Sequence, residues 1–422
     1  MQPTDKKTPL TPGNVSRRGF LHGATALAAA GAIPAVASPG RGKGQNRGRI
    51  IAYVGSSTNT NDAPPNDGIN LLDVNPSTGE LTPIKSYSSG DNSPTWLAFD
   101  PTNSFLYAAN SVTTFNGTNG SVSAFSVDPS NGDLTLLNTV DAEGPGSTHC
   151  SVHPSGEWVF VANYRGGNAA VLPVNPDGSL GSATDVVAIP VGPPPLGVQP
   201  AVDAPEGSFA ISGHDATHAH QIESDPAGNY VFLTDLGTDR TLMYSFDDVA
   251  GTLTPNTPYA VAETDGAGPR HFAFHPNGNW FYVINEEAST MTFMTYDAGT
   301  GLLTPQQTIP TLPSYFVGTN YPSEVMVSPN GRYVYGLNRN HDTVAIFRVG
   351  GTGELTLIRE EATQGAYPRH LAIEPTGNFM YVCNHQGDSI SIFRVHGGGQ
   401  HLDFVGMEPV RIPCFIGFLW IT

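Results

Sequence analysis

The stretch Gly266-Ala-Gly-Pro-Arg-His-Phe-Ala-Phe-His-Pro-Asn-Gly-Asn-Trp-Phe-Tyr-Val-Ile-Asn-Glu286 decides the fold. Two β-rich runs, Phe272–Phe274 and Trp280–Ile284, flank a Pro-Asn-Gly-Asn turn, which is the pattern of a β-hairpin. Folding about Gly278 brings Arg270 and Glu286 together, because each lies eight residues from it. A cation and a carboxylate thus meet at the open end of one hairpin.

The hairpin recurs. A Pro followed nine residues later by Asn or Asp occurs six times, as Pro101/Asn110, Pro154/Asn163, Pro226/Asp235, Pro276/Asn285, Pro329/Asn338 and Pro375/Asn384. Five of these prolines have Gly two residues on, and Asn103 takes that place in the first. Each unit continues with a third β-run, then with a Gly-x-Leu turn and a fourth run, as in Gly132-Asp-Leu, Gly178-Ser-Leu, Gly251-Thr-Leu and Gly353-Glu-Leu. Four antiparallel strands every ~50 residues predict propeller blades. The second runs, Trp158–Ala162, Tyr230–Thr234, Trp280–Ile284, Tyr333–Leu337 and Phe379–Cys383, are apolar or aromatic on both faces, as a sheet stacked between two others requires. Two remnants are left over. Arg49–Gly55, Ile69–Val74 and Leu81–Ser86 supply three strands, and Ile412–Thr422 supplies a fourth. Pairing them predicts an all-β, seven-bladed β-propeller over residues 49–422, closed by its N- and C-terminal strands so that no sheet edge stays open.

Residues 1–37 read as an export signal of the Tat type. Ser16-Arg17-Arg18-Gly19-Phe20-Leu21 carries a twin arginine, an Ala-rich run follows, and Ala35-Val36-Ala37 is a cleavage site. The apolar run is shorter than the roughly 20 residues a spanning helix needs. Residues 38–48 read as a linker, and the mature protein is expected outside the cytoplasm, periplasmic or extracellular, and off the membrane. The 422-residue chain has a net charge of −18, which becomes −21 when the leader takes away four cations and one acid. Such a surface repels nucleic acid and anionic membrane. Cys150, Cys383 and Cys414 are too few and too irregular for a disulfide framework or a zinc site, and Cys150 and Cys383, within strand patterns, read as buried thiols.

Each turn lies on one rim, so the start of the first strand and the end of the second reach the other rim. Eight residues back from each turn Gly stand Thr148, His220, Arg270, Ser323 and Arg369. Eight forward stand Tyr164, Leu236, Glu286, Arg339 and His385. His149, Arg165, His218, His271, Glu324 and His370 are neighbours of these positions. His218 and His220 are expected to share a strand face, since side chains repeat every two residues. One of them can relay a proton near neutral pH, Glu286 can act as general base or acid, and the arginines can bind an anionic group or a developing oxyanion. The competing reading of Arg270/Glu286 is a structural bridge between blades. His153 and His275, just before their turn prolines, are expected on the far rim. No Cys or carboxylate cluster at ligand spacing accompanies the paired histidines, so the reading takes no metal and no cofactor. Gly-x-Ser-x-Gly, His-Glu-x-x-His, a phosphate loop and a dinucleotide fingerprint are all absent from the sequence. The long spacing from Pro154 to Pro226 places an insertion at Val187–His214, either a cover for the mouth or a solvated decoration.

The stretches Ala162-Asn-Tyr164, His218-Ala-His220, Gly266-Ala-Gly-Pro-Arg-His271, Val283-Ile-Asn-Glu286, Ser328-Pro-Asn-Gly-Arg332 and Leu337-Asn-Arg339 resemble the seven-bladed propeller lactonases. That family is typified by the bacterial 6-phosphogluconolactonase, and the fungal 3-carboxymuconate-lactonising enzymes are similar to it. The resemblance implies catalytic roles for His220 or His218, Arg270, Glu286 and Arg339. Around them Arg369, His271, Arg165, His149, Glu324 and His385 are expected to bind substrate. The expected function is hydrolysis of a sugar-type lactone, a small-molecule substrate, by metal-independent general acid–base catalysis. An exported chain suits an unphosphorylated lactone or one derived from extracellular sugar oxidation. The alternatives are an exported propeller that binds a ligand or protein without catalysis, and a muconate-type cycloisomerase.

Overall fold

The computed structural model describes residues 48–58, 68–89, 93–190, 200–211 and 213–421. The expected leader (residues 1–37) and all of the linker but Gly48 lie outside them. The described residues form seven four-stranded antiparallel sheets. Their innermost strands are Pro94–Phe99, Ser147–Val152, Ala219–Ser224, Pro269–Phe274, Pro322–Val327, Pro368–Ile373 and Pro413–Ile421, which lead the first to the seventh blade. Each touches the next around a ring, and the last touches the first.

The turn residues set the hairpins. Asn103, Gly156, Gly228, Gly278, Gly331 and Gly377 all have φ between 59° and 78°, the left-handed region that Gly enters without a Cβ penalty. At Gly228 and Gly331 a second constraint applies. His153 Nε2 donates to Gly228 O (2.9 Å) and His275 Nε2 to Gly331 O (2.8 Å), so each turn histidine on this rim ties its blade to the next. A Cβ on Gly228 would meet the His153 ring at 2.3 Å.

Second strands are buried on both faces, as along Trp158–Asn163, Tyr333–Asn338 and Phe379–Asn384. Outermost strands are mostly exposed, as in Leu81–Tyr87. The apolar core therefore lies between blades. Between the third and fourth, Phe232, Phe272, Phe274, Phe281 and Tyr296 pack together, with Phe272 stacked 4.6 Å from Phe281. In the seventh blade Pro413–Ile421 pairs with Arg49–Ser56 from Arg49↔Ile421 to Ser56↔Pro413, and Ile69–Val74 and Leu81–Tyr87 complete it. The expected closure is present. All three cysteines are free and buried. No helix among the described residues is long and apolar enough to cross a membrane.

One expectation needs correction. The expected insertion bound, Val187, lies inside the fourth strand of the second blade, Asp185–Ala188, which follows the Gly178-Ser-Leu180 turn as expected. Leu180 belongs to the preceding blade's packing, because its backbone N–H and C=O both bond the Asn138 side chain (3.0 and 2.8 Å). Val187 and Ala188 are thus strand, and the insertion begins after them. Its described part lies along the rim of the fourth and fifth blades, where Val202 N donates to Asp265 O, Gly318 N to Glu206 O and Phe209 N to Thr319 Oγ1.

Candidate active site

Two local devices aim side chains into the channel. Pro269 pairs with Asn285 and His271 with Ile284, which leaves Arg270 as an extra residue. The same irregularity frees Thr95, Thr148 and Arg369, and it falls between Ala219 and Ile222 and between Pro322 and Val325 in the remaining two full blades. Bulges re-aim side chains. Consecutive residues that would point to opposite faces of a regular strand, Thr95/Trp96 and Arg270/His271, therefore line one small cavity together with Thr148, His220, Arg369 and Cys414. The second device is the Asn or Asp nine residues after each proline. All six are 0% exposed. Asn285 Nδ2, for example, donates to Thr290 and Thr292 Oγ1 (both 3.0 Å), and Asn384 Nδ2 to Ser389 and Ser391 Oγ. They pin the strand end from which Glu286, Arg339 and His385 emerge.

Glu286 Oε2 lies 2.9 Å from Arg270 Nε and 2.6 Å from Arg339 Nη2, so one carboxylate holds guanidiniums of two adjacent blades. Its backbone N–H is fixed by Gly268 O at 2.7 Å. Arg270 is fully buried and its Nη1 donates to Ser323 O. Burial and the Arg339 charge pull its pKa down, against the pull of Glu286. Arg339 Nε donates to Tyr321 O (2.7 Å), and the Tyr321 and Tyr367 rings flank its guanidinium at 5.6 and 5.1 Å. Burial opposes its charge most strongly, but Glu286, Tyr367 and Tyr164 together outweigh it and raise its pKa.

Beneath this trio lies a layer of neutral imidazoles. Burial, then neighbouring cations, lowers His149 and His370 to about 3 and holds His220 and His271 well below the usual range. Glu324 Oε2 sits 3.0 Å from His271 Nδ1, and burial pushes Glu324 up to about 8, so this pair is uncharged at pH 7. Trp96 fills the axis. Its ring is 4.4 Å from His149, 5.0 Å from His271, 5.1 Å from His370 and 5.0 Å from Phe415, side chains of four other blades.

The sequence-derived residues thus separate into groups. Arg270, Glu286 and Arg339 meet directly, and His220 and Arg369 line the cavity beside Arg270. His149, His271 and Glu324 form the layer beneath. His385 is half-buried near Tyr367, and Arg165 is exposed and does not line the cavity. His218 does not share a regular strand face with His220, because it precedes the strand and the bulge that follows breaks alternation. Its Nδ1 is 2.9 Å from Tyr164 O, its Nε2 is 2.8 Å from Asp215 Oδ1, and its ring stacks on Tyr164 at 4.3 Å. Sequence reasoning missed Trp96, Tyr321 and Tyr367. The two tyrosines each precede the proline that starts an inner strand, and Trp96 follows the position eight residues before Asn103, so both signals were present.

A second polar cluster fastens the insertion. His214 Nε2 lies 2.9 Å from Asp239 Oδ1 and Nδ1 2.9 Å from Glu287 Oε2. Glu287 Oε1 also accepts from Gly213 N, and Asp239 from Gly266 and Gly268 N. Only an imidazolium donates to both carboxylates. Burial of the ring opposes its charge, but the hydrogen bonds to Asp239 and Glu287 outweigh burial and lift the pKa to about 10. The folded value is above the unfolded one of ~6.5, so the clamp's stability is fully present below that pH and is lost as pH rises through about 10. Calorimetric melting of wild type and His214→Gln should therefore differ most at pH 6 and converge toward pH 10. Parallel profiles would show that the clamp contributes nothing.

The sequence matches the family described as "Lactonase, 7-bladed beta-propeller" over residues 51–414. The 6-phosphogluconolactonase of Bacillus subtilis (strain 168) is 31% identical over 318 residues, covering 75% of this chain and 83% of that protein. The 6-phosphogluconolactonase of Formosa agariphila is 28% identical over 319 residues, covering 74% and 83%. The periplasmic gluconolactonase of Pseudomonas aeruginosa superposes with a TM-score of 0.78 at 25% identity, covering 89% of this chain and 100% of that one. The propeller whose mouth brings Arg270, Glu286 and Arg339 together belongs to the seven-bladed β-propeller lactonase family of enzymes.

Proposed function

We propose that the protein hydrolyses a sugar-type lactone by metal-independent general acid–base catalysis. The observation that carries this reading is a single carboxylate, Glu286, shared by Arg270 and Arg339 at the channel mouth. Water attacks the ring carbonyl carbon while Glu286 takes its proton. Negative charge then leaves the carboxylate and appears on the carbonyl oxygen. The two guanidiniums, already in place, follow it from one site to the other, which is stabilisation aimed at the transition state. Collapse breaks the bond from the acyl carbon to the ring oxygen, Glu286 returns the proton to that oxygen, and a hydroxy acid results. His220, neutral at pH 7 and with its buried Nδ1 lacking a hydrogen-bond partner among the described residues, is suited to orient the water.

Export by the twin-arginine leader is part of this reading, supported by Arg17-Arg18 and by likeness to a periplasmic gluconolactonase. One experiment tests the whole. A pH-stat panel of aldonolactones, run on exported and cytosolic fractions and on purified protein with and without chelator, should show acid release from the exported fraction that chelator leaves unchanged. Activity abolished by chelator would require a metal mechanism, and no turnover of any lactone would favour the non-catalytic reading.

A further inference from the structure

The layer beneath the trio is built from the third residue of each inner strand. In the second, third and sixth blades that residue accepts a backbone N–H from the following blade. His149 Nδ1 takes Ile222 N (3.5 Å), Gln221 Oε1 takes Phe272 N (2.7 Å) and His370 Nδ1 takes Ile416 N (3.2 Å). His271, in the fourth blade, is the exception. The corresponding N–H, that of Val325, goes to Glu324 Oε1 (3.0 Å), and Glu324 Oε2 lies 3.0 Å from His271 Nδ1. The Glu324 side chain is thus interposed between a backbone donor and an imidazole. With Oε1 accepting, an O–H on Oε2 gives His271 Nδ1 what His149 and His370 receive from the backbone. A neutral imidazole that accepts at Nδ1 carries its proton on Nε2.

His271 Nε2 is buried without a hydrogen-bond partner among the described residues, and so are Thr95 Oγ1 and His220 Nδ1. All three residues line the small cavity beside Arg270, and the His220 and His271 rings are 4.8 Å apart. The cavity volume is about 10 Å³. A buried water needs roughly 10–15 Å³ and two to four polar partners, so this cavity suits one water and nothing larger. The charged and titratable groups facing Glu324 are Arg270 and His271 of the fourth blade, Arg369 and His370 of the sixth and Glu223 of the third. Burial, aided by Glu223, outweighs the two arginines and holds Glu324 at about 8.

We propose that Glu324 is a positioning residue, whose carboxylic O–H fixes His271 as the Nε2–H tautomer so that His271, Thr95 and His220 hold one water beside Arg270. Its effect on rate rests on the lactonase reading, in which His220 orients the attacking water and Glu286 takes its proton. With His271 Nε2–H donating to the water oxygen, the water spends one hydrogen on His220 Nδ1 and keeps the other for Glu286. Once Glu324 ionises it can only accept. The His271 proton then moves to Nδ1, Nε2 becomes a second acceptor, and the two imidazoles occupy both hydrogens of the water.

The test compares Glu324→Gln and Glu324→Leu with wild type. In the Gln variant the amide oxygen keeps the Val325 N–H and the amide N–H faces His271 Nδ1, a donor that rising pH does not remove. Wild-type kcat on an aldonolactone, corrected for spontaneous opening, should fall about 10-fold between pH 7 and pH 9 as the acid form is depleted. The Gln variant should lose this alkaline limb, and it should recover most of the kcat that the Leu variant loses. A limb that persists in Gln, or that wild type lacks, would overturn the proposal. A second arm reads the tautomer directly, by heteronuclear NMR of the intact protein labelled at histidine, with the His271 signals assigned by their loss in His271→Gln. Wild type should show Nε2–H at pH 7 and Nδ1–H at pH 9, and Glu324→Gln should show Nε2–H at both. Nδ1–H in wild type at pH 7 would overturn the assignment. If no lactone is turned over, the lactonase reading fails, and the NMR arm still decides whether Glu324 sets the His271 tautomer.

Discussion

Replacing Glu286 by Gln should lower kcat by roughly 10²–10⁴ while the protein remains folded. Gln keeps the shape and a carbonyl oxygen toward Arg270 and Arg339, but it cannot take a proton from water. It also cannot hand negative charge over to the carbonyl oxygen as the reaction proceeds. The change has a structural cost, because two buried guanidiniums lose their shared counter-ion; breaking a buried pair typically costs about 3–5 kcal/mol. Glu286→Asp separates the two effects. It retains the charge and should melt closer to wild type, yet it withdraws the carboxylate from the mouth and should still lose much of the rate. The measurement is initial velocity by pH-stat beside circular-dichroism melting. Wild-type velocity in the Gln variant would leave the Arg–Glu–Arg trio as nothing more than a bridge between blades.

Ending the chain after Ile412 should abolish cooperative folding. The lost strand carries Cys414, Phe415, Ile416, Leu419 and Ile421, all 8% exposed or less. At about 1.5–3 kcal/mol for each large buried apolar side chain, their loss removes roughly as much as the 5–15 kcal/mol by which a protein of this kind exceeds its unfolded state. Arg49–Ser56 would also lose its partner and become an open sheet edge, a template for association. Calorimetry and light scattering on the truncated form are expected to show no native transition and early aggregation. A melting curve like that of the full chain would mean that the ring tolerates an incomplete seventh blade.

Much of this architecture can be read from the chain because its information is periodic. Six prolines with Asn or Asp nine residues on mark six hairpins, and the surplus strands at Arg49 and Pro413 can only meet each other. Counting from Gly278 was enough to bring Arg270 to Glu286, since a hairpin is symmetric about its turn. What escaped was whatever breaks that symmetry. A regular ladder predicts that Arg270 and His271 face opposite ways, and the extra residue in each inner strand is what turns both inward. The His214–Asp239–Glu287 clamp joins an insertion to two separate blades, so no repeat length announces it. The bond of Leu180 to Asn138 was hidden for a similar reason, because that partner lies in another blade rather than in its own sheet.

Trp96 stands across the axis with its ring packed against side chains of four other blades. One side chain thereby ties together sheets that no ladder joins, so a change at Trp96 is felt in the second, fourth, sixth and seventh blades together.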